Sequence, residues 1–295
     1  MATTTSSAPS GQRPRNAQDS GSGVNFGRVL KSEWIKVTTI PSTVILVITT
    51  VVVMVGLAAL FAWSQAIFQE QLSNQDIPAE FQPPTEGPGS PSYDSLTVPS
   101  SGIVFGQLLI AALAVVLIAS EWATGMIRST MVAVPKRVPA LLAKNLIIAL
   151  VALVVGAFAA LISYLVAQPL LSPQNLDFSL GEEGVAASII NTGTYLALVA
   201  VISMGIGTLM RNTAGGVVTA VGIFFVLPII VQLISGLADW IPDAARFLPG
   251  SAGTQLVAIT TAEDALTQLE GGLVMAAWAV LLLLVSLIVT KKRDI

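Results

Sequence analysis

The chain has 295 residues, of which 54% are hydrophobic and 11% are charged, with a formal net charge of −3. Its mean hydropathy of +0.79 is too high for a soluble protein and is typical of a chain that crosses a membrane several times. Cysteine and histidine are both absent, which excludes disulfides, thiol nucleophiles, imidazole bases and most zinc, haem and iron–sulfur sites.

The first 39 residues predict a disordered tail followed by an interfacial helix. Residues 1–23 are rich in Ser, Thr, Gly, Pro and Ala and lack the apolar stretch of a signal peptide. Residues 24–39 place apolar side chains at helical spacing on one face, which predicts an amphipathic helix with Trp34 at headgroup depth and its basic groups near anionic lipid. The alternative is a basic flank that only fixes topology. The apolar face comprises Phe26, Val29, Leu30, Trp34 and Val37, and the basic residues are Arg28, Lys31 and Lys36.

Six later stretches are uncharged and long enough to cross the hydrocarbon core, which takes about 20 apolar residues. We therefore predict an all-α polytopic membrane protein, in which residues 24–295 form one six-span domain. The long, Pro-rich and acidic connection after the first span is expected to be an irregular external loop with one short helix near Ala66 to Asn74. The predicted spans are 43–63, 103–119, 145–167, 186–210, 213–235 and 272–290.

Basic residues are sorted to one side of these spans. With the N-terminus placed in the cytoplasm, 13 of the 14 Lys and Arg residues fall on cytoplasmic segments, and only Arg246 falls outside. Thirteen of the 17 acidic residues fall on the outer segments. The positive-inside rule therefore predicts a multi-pass protein of the cytoplasmic membrane, with both termini in the cytoplasm.

The cytoplasmic connection between the second and third predicted spans is longer than a turn requires. It runs from Ser120 to Asn145 and has helical character on both sides of Pro135. Its mixed apolar and basic surface suits docking on a cytoplasmic partner, although a loop that only fixes topology is the alternative.

Three strings in the chain occupy characteristic positions relative to the spans. The first string, Leu30-Lys31-Ser32-Glu33-Trp34-Ile35-Lys36, precedes the first span. The second is Glu121-Trp122-Ala123-Thr124-Gly125-Met126-Ile127-Arg128, with Val134-Pro135-Lys136-Arg137 and Lys144 following it. The third, Phe247-Leu248-Pro249-Gly250-Ser251-Ala252-Gly253, lies between the last two spans. In their residues, order and spacing along the chain after Gly23, these strings resemble the permease subunits of type 2 ABC exporters.

The resemblance implies a permease half that forms the substrate pathway and couples to two copies of a separate ATP-binding subunit. It also implies a second permease half, which we expect to be another copy of this chain, although a related chain would serve. By this resemblance residues 24–39 would be the interfacial elbow helix. The ATPase contact would comprise Glu121, Trp122, Thr124, Gly125 and Arg128.

Several other functions are disfavoured by motifs that the sequence lacks. No G-x-x-x-x-G-K-[ST] loop occurs, so ATP hydrolysis is expected on a partner and not on this chain. No acid or base lies within a predicted span, which disfavours ion-coupled transport. We expect no enzyme activity, no cofactor and no nucleic-acid partner. The remaining alternative is a membrane anchoring or assembly protein that transports nothing.

The uncharged polar residues inside the spans are expected to hydrogen-bond neighbouring helices and not to contact substrate. Small residues such as Gly156 with Ala160 permit close helix approach, and Pro228 should kink the fifth span because it removes a backbone donor.

Overall fold

The computed structural model describes residues 25–75, 83–84, 87, 89–126, 137–259 and 265–292, and the regular structure within these ranges is entirely helical. Six helical segments among them are long and apolar enough to cross a membrane. The prediction of an all-α, six-span membrane protein is therefore confirmed. The predicted disordered tail, residues 1–23, lies outside the described residues.

Eleven α-helices follow one another in the described ranges. Five spans are single helices, namely α2, α4, α5, α6 and α11, whereas the fifth span consists of α7 and α8 joined by a π-helical turn at Gly222–Val226. The helices are α1 (Phe26–Thr39), α2 (Pro41–Ser73), α3 (Pro91–Leu96), α4 (Ile103–Ala123), α5 (Arg137–Leu171), α6 (Val185–Met210), α7 (Thr213–Val221), α8 (Leu227–Ile234), α9 (Trp240–Ala245), α10 (Pro249–Val257) and α11 (Gln268–Lys292).

Two spans extend well beyond their predicted limits. Helix α2 continues without a break to Ser73, so the separate short helix expected near Ala66 to Asn74 is wrong. The segment after Trp63 contains Gln, Glu, Ala and Leu and no Gly or Pro, so nothing in it stops a helix. Helix α5 begins at Arg137 and not near Asn145, because Pro139 is tolerated in a first helical turn and Lys144 is paired with acids.

Helices α4 and α6 are the most deeply buried spans and form the centre of the bundle, with α5 packed against α6. The backbones of α5 and α6 come close where two glycines meet. A Cβ atom added at Gly156 would lie 2.9 Å from the Cα atom of Gly193, so the predicted close approach at Gly156 is confirmed. The outer surfaces of α2, of α7 and α8, and of α11 are largely exposed.

The prediction that polar residues inside the spans bind neighbouring helices is confirmed only in part, because Thr194, Thr208 and Thr219 donate to carbonyl oxygens four residues earlier in their own helices. Ser188 and Asn191 on α6 donate to the carbonyl oxygens of Val257 and Leu256 at the end of α10, at 2.8 and 2.9 Å. The buried hydroxyl of Tyr195 bonds the side chain of Gln107 on α4. Residues 249–253 of the third resemblance string form the beginning of α10, and residues 247–248 precede it.

Pro228 lies in the first turn of α8, directly after the π-helical turn. The fifth span therefore departs from regular α-helix at the place where the proline predicts a distortion.

One end of the bundle gathers α1, the last turn of α4, the first turns of α5 and the turn between α6 and α7. We refer to it as the α1 end. Ionic contacts join α1, α4 and α5 there, and a cation–π contact joins α4 to the α6–α7 turn.

Candidate functional site

Helix α1 packs one narrow face onto the bundle, and that face includes a carboxylate. Its N-terminus is capped by Asn25, whose side chain accepts from the backbone N–H of Gly27. The buried residues of α1 are Val29, Glu33 and Val37, which recur every four residues and so form one stripe along the helix. Glu33 is therefore carried into the contact between α1 and the spans by the apolar residues on either side of it.

Glu33 lies in a cluster of two acids and two bases from three helices. We call this set the ion cluster: Glu33 and Lys36 of α1, Glu121 of α4, and Lys144 of α5. The Nζ of Lys144 donates to Glu33 Oε2 at 2.5 Å and to Glu121 Oε1 at 2.8 Å. The Nζ of Lys36 donates to Glu33 Oε1 at 2.7 Å and to Glu121 Oε1 at 3.0 Å. Each ammonium group thus bridges the two carboxylates, and the four formal charges sum to zero.

The ion cluster is shielded from solvent. Its side chains are 3% (Glu33), 7% (Glu121) and 9% (Lys144) exposed, and only Lys36 is more open at 24%. Ion pairs at an exposed surface contribute little, but removing one partner of a buried pair leaves a charge that water cannot reach. The cluster is therefore a strong mechanical link between α1, α4 and α5.

The charged neighbours of Glu33 and of Lys36 favour the ionised forms of these two side chains. Burial acts to raise the pKa of Glu33, but the ammonium groups of Lys144 and Lys36 outweigh it, and the net pKa lies below the ordinary 4.5. Burial acts to lower the pKa of Lys36, but its hydrogen bond to Glu33 and the charge of Glu121 raise that pKa above 10.5. By linkage, the stabilisation from Glu33 is present above pH 4.5 and is lost as the pH falls through its lower folded pKa. The stabilisation from Lys36 is present below pH 10.5 and is lost as the pH rises through its higher folded pKa.

A cavity of about 120 Å³ adjoins the ion cluster and is lined by all four of its residues, together with Ser120 and Thr124. One carboxylate oxygen of Glu121, Oε2, is buried and has no hydrogen-bond partner in the described part of the chain. The rest of its lining is apolar: Val37, Ile40, Leu117, Met126, Ile147 and Ile148. The last turn of α4 thus combines an ionic link with a small, largely apolar space beside it.

The next residue on α4 forms a second link, on the other side of the helix. The guanidinium group of Arg211 lies over the ring of Trp122, 4.0 Å from its centroid. Arg211 ends α6 in the left-handed conformation, with φ of 51°, and begins the turn to α7. Such a cation–π contact contributes about 0.5–2 kcal/mol, depending on burial. The last turn of α4 therefore contacts α1 and α5 through Glu121, and the α6–α7 turn through Trp122.

The predicted ATPase-contact residues separate into buried and exposed positions. Glu121 is buried in the ion cluster, and Trp122 is half-buried against Arg211. Thr124 and Gly125 follow the end of α4 and are exposed, and Gly125 has a φ of +72° that favours glycine. Arg128 lies outside the described residues. Glu121 and Trp122 are therefore placed to hold the connection, while Thr124 and Gly125 are placed on its surface.

The predicted apolar face of α1 is divided between buried and exposed positions. Val29 and Val37 are buried and Leu30 is half-buried, whereas Phe26 and Trp34 are 42% and 45% exposed. Arg28 and Lys31 are exposed, and their proximity to lipid stays a prediction. Lys36 is a correction: it was expected near anionic lipid, but it turns into the bundle because Glu33 and Glu121 supply buried negative charge.

Sequence reasoning missed Glu33 and Lys144 as site residues. The burial of Glu33 was indicated by the sequence. Val29 and Val37 lie four residues before and after it, so the acid shares their stripe on the helix and is buried with them. Lys144 carried no such signal, since its partner Glu33 lies 111 residues away in the chain.

No group of three or more acidic side chains that could hold a metal ion occurs among the residues that the structure describes. The arrangement is suited to transmitting displacement between helices, because it joins three helix ends through short ionic contacts. A comparison of the sequence with protein-family models gave no match. A comparison with curated proteins also gave none.

Proposed function

We propose that this chain is the transmembrane permease subunit of an ATP-driven exporter of the type 2 ABC class. The observation that carries the proposal is the ion cluster, which joins α1 to the two helix ends that flank the connection 124–136. That connection is the segment whose sequence resembles the ATPase contact of such permeases. The resemblance of residues 30–36, 121–128 and 247–253 adds to this, as does the presence of six spans.

The proposed mechanism begins at the connection between α4 and α5. A partner that hydrolyses ATP would bind its exposed surface, including Thr124 and Gly125, and displace it. Because Glu121 and Lys144 bond each other and both bond α1, the ends of α4 and α5 would move together with α1 and not separately. The Trp122–Arg211 contact would pass the same displacement to the α6–α7 turn.

The proposal places the α1 end of the bundle in the cytoplasm of a cell membrane. Its support is the distribution of charge, since 13 of the 14 basic residues lie on segments assigned to that side. Alternating access would then require a second permease half, which we propose is another copy of this chain. The long, exposed apolar surfaces of the outer spans leave room for such a contact.

The test is to purify the tagged chain in mild detergent from its own membrane and identify the proteins that accompany it. We expect a subunit that contains a G-x-x-x-x-G-K-[ST] loop, in about one-to-one ratio. The ATPase rate of the purified complex is then compared for the parent chain and for Glu121→Gln, which keeps the side-chain shape but removes the charge. We expect a fall of about tenfold, equivalent to about 1.4 kcal/mol in the barrier.

The matched control is Glu182→Gln, an exposed acid in the connection between α5 and α6 at the opposite end of the bundle. It should leave the rate unchanged. If no ATP-binding subunit accompanies the chain, or if Glu121→Gln and Glu182→Gln give the same rate, the exporter proposal is wrong. An anchoring or assembly protein would give the first of these outcomes.

A further inference from the structure

A groove of about 380 Å³ runs along the surface of the bundle between α1, α2 and α5. Its volume is within the range of ligand pockets, about 300–1,000 Å³. Trp34 and Thr38 of α1 form its upper rim, and its walls are aliphatic, with Ile48 on α2 and Val154 on α5 at its open side. This recess has walls from three helices.

The chemistry of the groove selects an apolar occupant. Its one hydroxyl, on Thr38, already donates to the backbone carbonyl of Trp34 at 3.0 Å. Apart from the indole N–H of Trp34 at the rim, the side chains of the groove would offer a polar ligand no hydrogen bond to replace its hydration. A hydrocarbon chain would fill the recess and gain dispersion contacts from three sides.

The position of the groove fits within one leaflet of a bilayer. At a helical rise of about 1.5 Å per residue, its lining on α5, from Leu150 to Val155, covers about 8 Å of helix and ends about 16 Å along α5 from Lys144. Half of the hydrocarbon core is about 15 Å thick. The groove thus lies between the charged α1 end and the middle of the membrane, where it would enclose part of one acyl chain.

The rim of the groove carries a positive charge. Lys31 lies one helical turn before Trp34, on the same side of α1, and it is exposed. It forms no ion pair with any residue in the described part of the chain. A tryptophan ring beside a lysine at headgroup depth is the arrangement expected at a membrane interface.

We propose that this groove is a binding site for one anionic phospholipid, with an acyl chain between α1, α2 and α5 and its phosphate group against Lys31. The lipid would fill the space between α1 and the spans on the side opposite the ion cluster, so that α1 is held by ionic contacts on one side and by lipid on the other. The proposal does not depend on the exporter function, because it requires no ATPase partner.

The experiment is native mass spectrometry of the full chain in mild detergent, titrated separately with dioleoyl phosphatidylglycerol and dioleoyl phosphatidylcholine. The parent should retain one phosphatidylglycerol, with an affinity about fivefold higher than for phosphatidylcholine, the preference expected from one lysine near an anionic headgroup. Val154→Trp should fill the groove and lower retention of both lipids. Lys31→Gln should remove the preference and leave phosphatidylcholine binding unchanged.

Two matched controls distinguish the groove from the rest of the lipid-facing surface. Val280→Trp introduces the same ring on α11, at a valine that is 53% exposed compared with 56% for Val154. Lys292→Gln removes an exposed lysine from the end of α11. Both controls should bind lipid as the parent does.

The proposal is overturned if Val154→Trp and Val280→Trp retain phosphatidylglycerol equally. It is also overturned if the parent holds both lipids equally, because Lys31 would then contribute no headgroup selection. Lys31→Gln alters an exposed side chain and should fold normally, so the headgroup test stands even if Val154→Trp is poorly folded.

Discussion

Replacing Lys144 by Met should strongly destabilise the protein, because this side chain bridges the two carboxylates of the ion cluster. Its ammonium group donates to Glu33 and Glu121 at 2.5 and 2.8 Å, and the side chain is 9% exposed. Methionine has a similar length but no charge, so two buried carboxylates would share the single ammonium group of Lys36. Breaking a buried ion pair from one side costs about 3–5 kcal/mol, and we expect a loss of this size for Lys144→Met.

The double variant Glu33→Met with Lys144→Met tests whether this loss comes from unpaired charge. It removes one acid and one base together, and it leaves Lys36 and Glu121 paired at 3.0 Å. Replacing a complete buried ion pair by apolar side chains is often close to neutral. The double variant should therefore be more stable than Lys144→Met alone, by about 2 kcal/mol or more.

The assay is reversible unfolding of the purified chain by sodium dodecyl sulfate in mixed micelles, followed by circular dichroism. Lys291→Met, at an exposed lysine near the end of α11, is the control and should change the free energy of unfolding by less than about 0.5 kcal/mol. The reasoning is refuted if Lys144→Met unfolds like this control. It is equally refuted if the losses of unfolding free energy in Glu33→Met alone and in Lys144→Met alone simply add in the double variant.

Three further predictions concern the same bundle. Because ion pairing lowers the pKa of Glu33, the free energy of unfolding should fall as the pH drops below 4.5. In Glu33→Gln the free energy of unfolding should depend less on pH in this range. A double-mutant cycle of Trp122→Leu with Arg211→Met should give a coupling energy of about 1–2 kcal/mol, and a value near zero would show that the contact contributes nothing. Gly193→Ala should lower the free energy of unfolding by about 1–3 kcal/mol, because its methyl group would meet the α5 backbone. Gly56→Ala has open space around it and should not lower the thermal stability of the protein.

The six spans could be predicted from the sequence because a membrane imposes a simple requirement. A helix in hydrocarbon must be long, apolar and uncharged, and each of these properties is visible in a local window. The errors occurred at helix ends, where that requirement no longer applies. Helix α5 begins eight residues before Asn145 since Lys144 is neutralised by partners from elsewhere in the chain.

The ion cluster could be predicted only in part. Glu121 was identified through its resemblance string, and the burial of Glu33 was implied by the valines at 29 and 37 on the same stripe. The pairing itself joins positions that are 85 and 111 residues apart. Local periodicity carries no information about such distances, so the sequence could not show that Lys36 turns away from lipid.

The two tryptophans at the α1 end illustrate the same limit. Trp34 and Trp122 each directly follow a glutamate in the sequence, and both belong to strings that resemble the permease family. Trp34 is exposed on the rim of the groove between α1, α2 and α5, while Trp122 is covered by Arg211. Only the positions of the neighbouring helices distinguish a residue that faces lipid from one that binds another part of the chain.

Site-specific cross-linking from position 124 tests the proposed function most directly. The chain has no cysteine, so Thr124→Cys provides a single attachment point for a benzophenone maleimide on the exposed residue that follows α4. We predict that illumination in native membranes joins the chain to a subunit with a G-x-x-x-x-G-K-[ST] loop, and that Ser179→Cys, exposed at the opposite end, gives no such product. Cross-links from both positions, or from neither, would contradict a cytoplasmic ATPase contact at the end of α4.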